Sequence, residues 1–191
     1  MKIVLAAALA FLPLAAAAQQ PAGIPHTGTE TPATCAPSMG LNYVCGPDQP
    51  EDLLQIGGSK WLVASGMGEN GGVFLVDSQA KTAHRFFTGA AKPDTAMYPA
   101  CAAPPAHFNT HGLALRPGAT AGTYRLYSVT HAPFESIQVF AVDARGPQPT
   151  IAWTGCVKLP ADFRSNSVTA TRDGAILVNV QMHGTHTDFI S

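Results

Sequence analysis

The chain is 191 residues long, with 11 Lys+Arg against 12 Asp+Glu, a net charge of −1 and only 12% charged residues. That balance gives no basic face for nucleic acid and no reason to seek an anionic membrane surface. With 18 Gly and 16 Pro, and β-branched and aromatic residues gathered in short runs, the composition argues against a helical protein and for a turn-rich all-β one.

Lys2, the apolar run Ile3 to Leu14, and Ala15-Ala16-Ala17-Ala18 ahead of Gln19-Gln20 are the three parts of an export signal. The apolar run is too short for a membrane span, and no later stretch reaches the roughly 18 apolar residues that one needs. Residues 1–18 are therefore assigned to a signal peptide. The expected product is secreted or periplasmic, with no stable membrane span once the signal is cleaved. Residues 19–45 read as an irregular lead-in, rich in Pro, Thr, Gly and Ala, with His26 facing solvent. Export makes Cys35, Cys45, Cys101 and Cys156 candidates for two disulfides. None of the spacings is the Cys-x-x-Cys of a zinc site. Cys101 with Cys156 is the favoured pair, because each follows an outer-strand segment and precedes an inner strand. Cys35 and Cys45 pair with each other or with residues beyond this sequence.

From residue 46 onward the chain is read as a series of strands. Gly46-Pro47-Asp48-Gln49-Pro50 is a turn whose prolines hold the chain extended before Glu51. Leu53 to Ile56 is predicted as an inner strand, Gly57-Gly58-Ser59 as a hairpin turn and Lys60 to Ser65 as the next strand. A glycine-rich loop follows, then Val73 to Asp77, then an outer strand from Ala83 to Thr88. A second set runs from His111 to about Val157, through Leu113 to Leu115, Tyr124 to Thr130, Ile137 to Asp143 and Thr150 to Val157. In it Ile137, Val139 and Ala141 alternate with Gln138, Phe140 and Val142, so both faces of that strand are expected to be covered. A third set opens at Asn166-Ser167-Val168-Thr169, turns at Arg172-Asp173-Gly174 and continues from Ala175 to Val180. Trp61 and Trp153 are expected to pack between the sets, and no stacked aromatic series suggests nucleic acid.

The openers Glu51, His111 and Asn166 stand 60 and 55 residues apart, a period suited to radially repeated sheets. The expectation is an all-β fold of β-propeller type occupying 46–191, with blades starting near 51, 111 and 166. About two and a half blades are present, against the roughly four to eight of a closed ring. The sequence then reads as the N-terminal part of a longer protein. In a propeller the residues that open equivalent inner strands surround one channel mouth. Glu51 and Asn166 would there offer hard oxygen ligands suited to Ca²⁺, or each simply caps a turn. His131 ends the strand that pairs with the one His111 opens, so the two imidazoles would lie across a hairpin and could activate water. No nucleophile elbow or phosphate-binding loop occurs.

At these residues the chain resembles a known family. Pro50-Glu51-Asp52-Leu53, Phe108-Asn109-Thr110-His111-Gly112-Leu113, Val129-Thr130-His131, Val139-Phe140-Ala141-Val142-Asp143, Leu159-Pro160 and Asn166-Ser167-Val168 are similar, in that order, to the first half of the paraoxonase, gluconolactonase and regucalcin superfamily. The resemblance implies a six-bladed propeller with a catalytic Ca²⁺, hydrolysing lactones or aryl esters. It makes Glu51 the metal-binding carboxylate and Asn166 the third-blade amide ligand. It matches His111 and His131 to the histidine pair of the paraoxonase branch, and Asp52 loosely to a ligand of that branch's second, structural Ca²⁺. The family's remaining catalytic-metal ligands, an Asn and an Asp from later blades, have no counterpart here. The rival readings are a non-catalytic propeller that binds a partner or a sugar, and an inactive fragment whose exposed strand edges associate.

Overall fold

A computed structural model describes residues 35–183. The expected signal peptide, His26 and His186 lie outside the described residues. Those described contain ten strands and no α-helix, arranged as antiparallel sheets, none closed into a barrel. No helix among them is long and apolar enough to cross a membrane.

The first sheet is a meander in chain order: β1 (Leu53–Gln55), β2 (Trp61–Gly66), β3 (Gly72–Asp77) and β4 (Thr82–Arg85). The second repeats it with β5 (Leu113–Pro117), β6 (Thr123–Thr130), β7 (Ser136–Asp143) and β8 (Thr150–Lys158). A hairpin of β9 (Phe163–Ala170) and β10 (Ile176–His183) follows. Gly57 and Gly58, both at positive φ, make the β1–β2 turn in the left-handed region where a Cβ is penalised. Gly57 is required for a second reason. The Tyr124 hydroxyl of the second sheet lies where its Cβ would stand.

Two apolar clusters separate the three units. Val63, Val73 and Leu75 of the first sheet meet Leu113, Leu126, Phe140, Val142 and the fully buried Trp153 of the second. On the other side of the second sheet, Tyr127, Val129, Ile137 and Val139 meet Val168 of the hairpin. Both faces of β7 are thus largely covered, as its sequence alternation predicts. Trp153 satisfies its indole N–H on Gln138 Oε1 at 2.8 Å, and Trp61 reaches the carbonyl of Pro147 at 3.3 Å across the two sheets.

The outer strand of the first sheet is shorter than expected and stops at Arg85. Phe86 and Phe87 instead turn inward, each backbone N–H donating to the carbonyl of Val73 and each side chain entering the core. Burying two phenyl rings outweighs continuing one edge ladder. The chain then crosses to β5 through a long connection. This is tied to β8 by the Ala91–Trp153 bridge, by Lys92 N–H to the Trp153 carbonyl and by the Cys101–Cys156 disulfide. Cys35 pairs with Cys45. Two disulfides are compatible with an oxidising compartment.

Candidate functional site

Three separate stretches meet where the approach to β5 passes β9. The β5–β6 ladder extends past Leu113, since His111 N–H donates to Val129 O and Val129 N–H to Gly112 O, both at 2.9 Å. Gly112 N–H then crosses to the Asn166 carbonyl at 3.0 Å. A Cβ on Gly112 would overlap that carbonyl and the Cα of Ser167, so this close approach depends on glycine. Thr110 anchors the same segment to the first sheet, donating to Gly72 O at 2.6 Å and accepting from Gly66 N–H at 2.9 Å.

Asn166 does not open its strand but lies within β9. Phe163, Arg164 and Ser165 already pair with β10, and between the Val168–Val178 and Ser165–Val180 pairs the register shifts, setting Asn166 and Ser167 against Asn179 alone. Such a bulge frees backbone groups and re-aims a side chain. The freed Asn166 carbonyl turns to Gly112 and His111. No local sequence signal marked this bulge.

His111 Nδ1 lies 3.3 Å from the Asn166 carbonyl oxygen and 3.4 Å from Glu51 Oε2. Both neighbours can only accept, so Nδ1 carries a proton, and in the neutral ring Nε2 carries the lone pair. The His131 ring stands edge-on to His111, with centroids 5.1 Å apart and planes at 64°. Glu51, His131 and the backbone of Asn166 are thus brought together around the His111 imidazole. His84 lies elsewhere, 3.0 Å from the Gln148 amide nitrogen.

Two buried side-chain oxygens here have no hydrogen-bond partner: Asn166 Oδ1 and Asn109 Oδ1. An orphaned amide oxygen is a hard donor of the kind that a cation such as Ca²⁺ takes. Among the described residues, however, no group of three or more His, Cys, Asp or Glu could hold a metal ion. Glu51 and Asn166 therefore supply suitable donors but few of the roughly 6–8 oxygens that Ca²⁺ takes. Asp52 is committed differently. Its carboxylate accepts from Leu53 N–H and Leu113 N–H, both at 2.8 Å, and so ties the first sheet to β5.

No family model matches this chain, and no curated protein or solved structure is significantly similar to it.

Sequence reasoning missed Asn109 and Glu135. Asn109 precedes His111 by two, and its amide donates to Met67 O at 3.2 Å. Glu135 is four residues past His131, its side chain only 1% exposed and its Oε2 2.8 Å from His131 Nδ1. A charge in an apolar turn of so weakly charged a chain was the available hint. Away from these residues, a cavity of about 520 Å³ opens between the β2–β3 loop and residues 104–108, lined by Glu69, Arg85, Phe87, His107 and Phe108 among others.

Proposed function

We propose that this chain carries part of a calcium-dependent hydrolase of lactones or aryl esters, exported to the cell exterior or the periplasm and built on β-propeller blades. One observation carries the reading: the Glu51 carboxylate and the Asn166 backbone carbonyl, 60 residues before and 55 after His111 in sequence, come within 3.4 and 3.3 Å of its Nδ1. Support for the blade arrangement comes from two like meanders sharing cores in chain order, with β5 packed against both β1 and β9.

Glu51 and Asn166 Oδ1 would hold the cation, which when bound supplies Lewis-acid polarisation of the substrate carbonyl. The protein's own part is proton handling. An imidazole Nε2 takes a proton from water as the water oxygen attacks the carbonyl carbon. It then returns the proton to the departing alkoxide or phenoxide as the ester bond breaks, leaving an alcohol or phenol and a carboxylic acid that ionises by releasing its proton to solvent. The His111 backbone is pinned by Val129, and its ring by the Asn166 carbonyl, so the base is held in place before substrate arrives.

The test is hydrolysis of a lactone and aryl ester series by the purified full-length protein, with and without chelator. We expect activity that chelation removes and Ca²⁺ restores. His111→Ala should lower kcat by about 10²–10⁴-fold while Ca²⁺ affinity, measured by calorimetry, changes little. Unchanged turnover in that variant would remove His111 from the mechanism. The second reading, a binding module for a sugar or partner, draws on the cavity beside Arg85 and Phe87, whose walls include none of Glu51, His111, His131 or Asn166. A protein that hydrolyses no ester yet binds a sugar would decide for it.

A further inference from the structure

The Glu135 carboxylate is buried in a chain that keeps most of its charges outside, and every contact it makes is directed. Oε1 accepts from the Ser165 N–H at 2.6 Å and from the Ser165 hydroxyl at 2.5 Å. Oε2 faces His131 Nδ1 at 2.8 Å, with the exposed Arg164 guanidinium 3.9 Å away. The turn that presents it is held as well: Glu135 O accepts from Leu159 N–H at 3.0 Å, the Thr130 hydroxyl donates to Ala132 O and the Ser136 hydroxyl to Phe134 O. A carboxylate needed only to close this turn would have no reason to extend to an imidazole whose side chain is 31% exposed.

We infer that Glu135 is a positioning residue, fixing the tautomer and direction of His131 through Nδ1 so that its Nε2 presents a lone pair toward the site, and locking this to β9 through Ser165. An ionised carboxylate can only accept, so Nδ1 must carry a proton, and in the neutral ring Nε2 is left as the acceptor. Carboxylates that orient a catalytic imidazole act in this way, and a wrong tautomer there costs activity without disturbing geometry. Ser165 immediately precedes Asn166, so one side chain links the second histidine to the bulge that re-aims the amide. The tautomer stands on geometry alone, while its use in proton transfer rests on the hydrolase reading.

The experiment is long-range ¹H–¹⁵N correlation NMR of the His131 ring in the parent protein and in Glu135→Gln. A glutamine whose oxygen continues to accept from Ser165 turns its amide N–H toward His131, so Nδ1 must accept and the proton moves to Nε2. We expect Nδ1–H in the parent, Nε2–H in Glu135→Gln, and a fall in kcat of about 10²–10⁴-fold with KM little changed. Ser165→Ala removes one donor to Glu135 and leaves the His131 contact, and should keep the parent tautomer. Nε2–H in the parent overturns the inference without any variant having to fold. A tautomer unmoved in Glu135→Gln overturns it too. The expected tautomers in a protein that hydrolyses none of the esters would support the positioning role and remove the hydrolase reading instead.

Discussion

Asp77 and Asp143 end the third strand of their respective sheets, and each holds its following turn. Asp77 accepts from Gln79 N–H and Ala80 N–H at 2.9 Å through Oδ1 and from Lys60 Nζ at 2.7 Å through Oδ2. The Ala80 N–H first, then the Lys60 ammonium, hold its carboxyl below the ordinary 3.8. Asp143 is depressed further, chiefly by the Arg145 side chain and then by its N–H. A carboxyl of lowered pKa binds fewer protons folded than unfolded, so its contribution is complete above the unfolded value and is lost as pH falls through the folded one. Asp77→Asn should therefore be less stable than the parent near about pH 7, with the gap closing below about pH 4, as read from urea unfolding across that range. A gap that stays constant with pH would deny Asp77 this role. The same scale shows what sequence could and could not disclose about the site. Regular spacing singled out Glu51, His111 and Asn166, of which Glu51 and His111 each stand two residues ahead of a first strand while Asn166 lies inside β9. It could not disclose that Asn166 sits at a bulge, nor that Glu135 folds back under His131, since both depend on how a turn and a neighbouring strand settle against each other.

Among elements, the long connection between β4 and β5 carries more structure than its composition suggested. Residues 90–94 lie along the outer edge of β8, with Trp153 N–H donating to Ala90 O and Asp94 N–H to Thr154 O, each at 2.8 Å. An edge that would otherwise template foreign strands is covered in this way. The Cys101–Cys156 bond pins that cover, with Cα atoms 5.6 Å apart and a sequence separation of 55. Closing so long a loop removes unfolded-state entropy worth about 4 kcal/mol in the chain-entropy account. The double variant Cys101→Ala/Cys156→Ala should lose up to about that much in urea unfolding. Cys35→Ala/Cys45→Ala, closing a separation of only 10, should lose less. The reverse order would mean that the cover over β8 holds without its covalent tie. The Cys101–Cys156 pair was expected from strand ends, although Cys101 lies in the β4–β5 connection and Cys156 inside β8; strands were legible because alternation and glycine turns are local signals. The parting of Phe86 and Phe87 from β4 was not, since two aromatics in sequence read equally well as strand or as core.

For the whole molecule, the decisive contrast is between its covered and uncovered surfaces. The second sheet buries both faces and has its outer edge covered, whereas among the described residues no strand pairs with the far side of β10. Leu177 on that strand is 56% exposed. It lines a shallow groove with Val168, Thr169 and Val178. The other two units each set four strands in order where the described residues of this one supply two, so among the described residues nothing pairs with its outer ladder. An unpaired edge beside an exposed leucine is a template for association. We therefore expect this chain by itself to self-associate reversibly at about 10–100 µM, and Leu177→Lys to weaken that association by placing a charge on the open face. Sedimentation velocity over a concentration series reads both, and a parent that stays monomeric throughout would show this edge to be closed in solution. Because β9 carries Asn166 on one side and pairs with β10 on the other, whatever occupies that edge also bears on how firmly the bulge holds the amide beside His111.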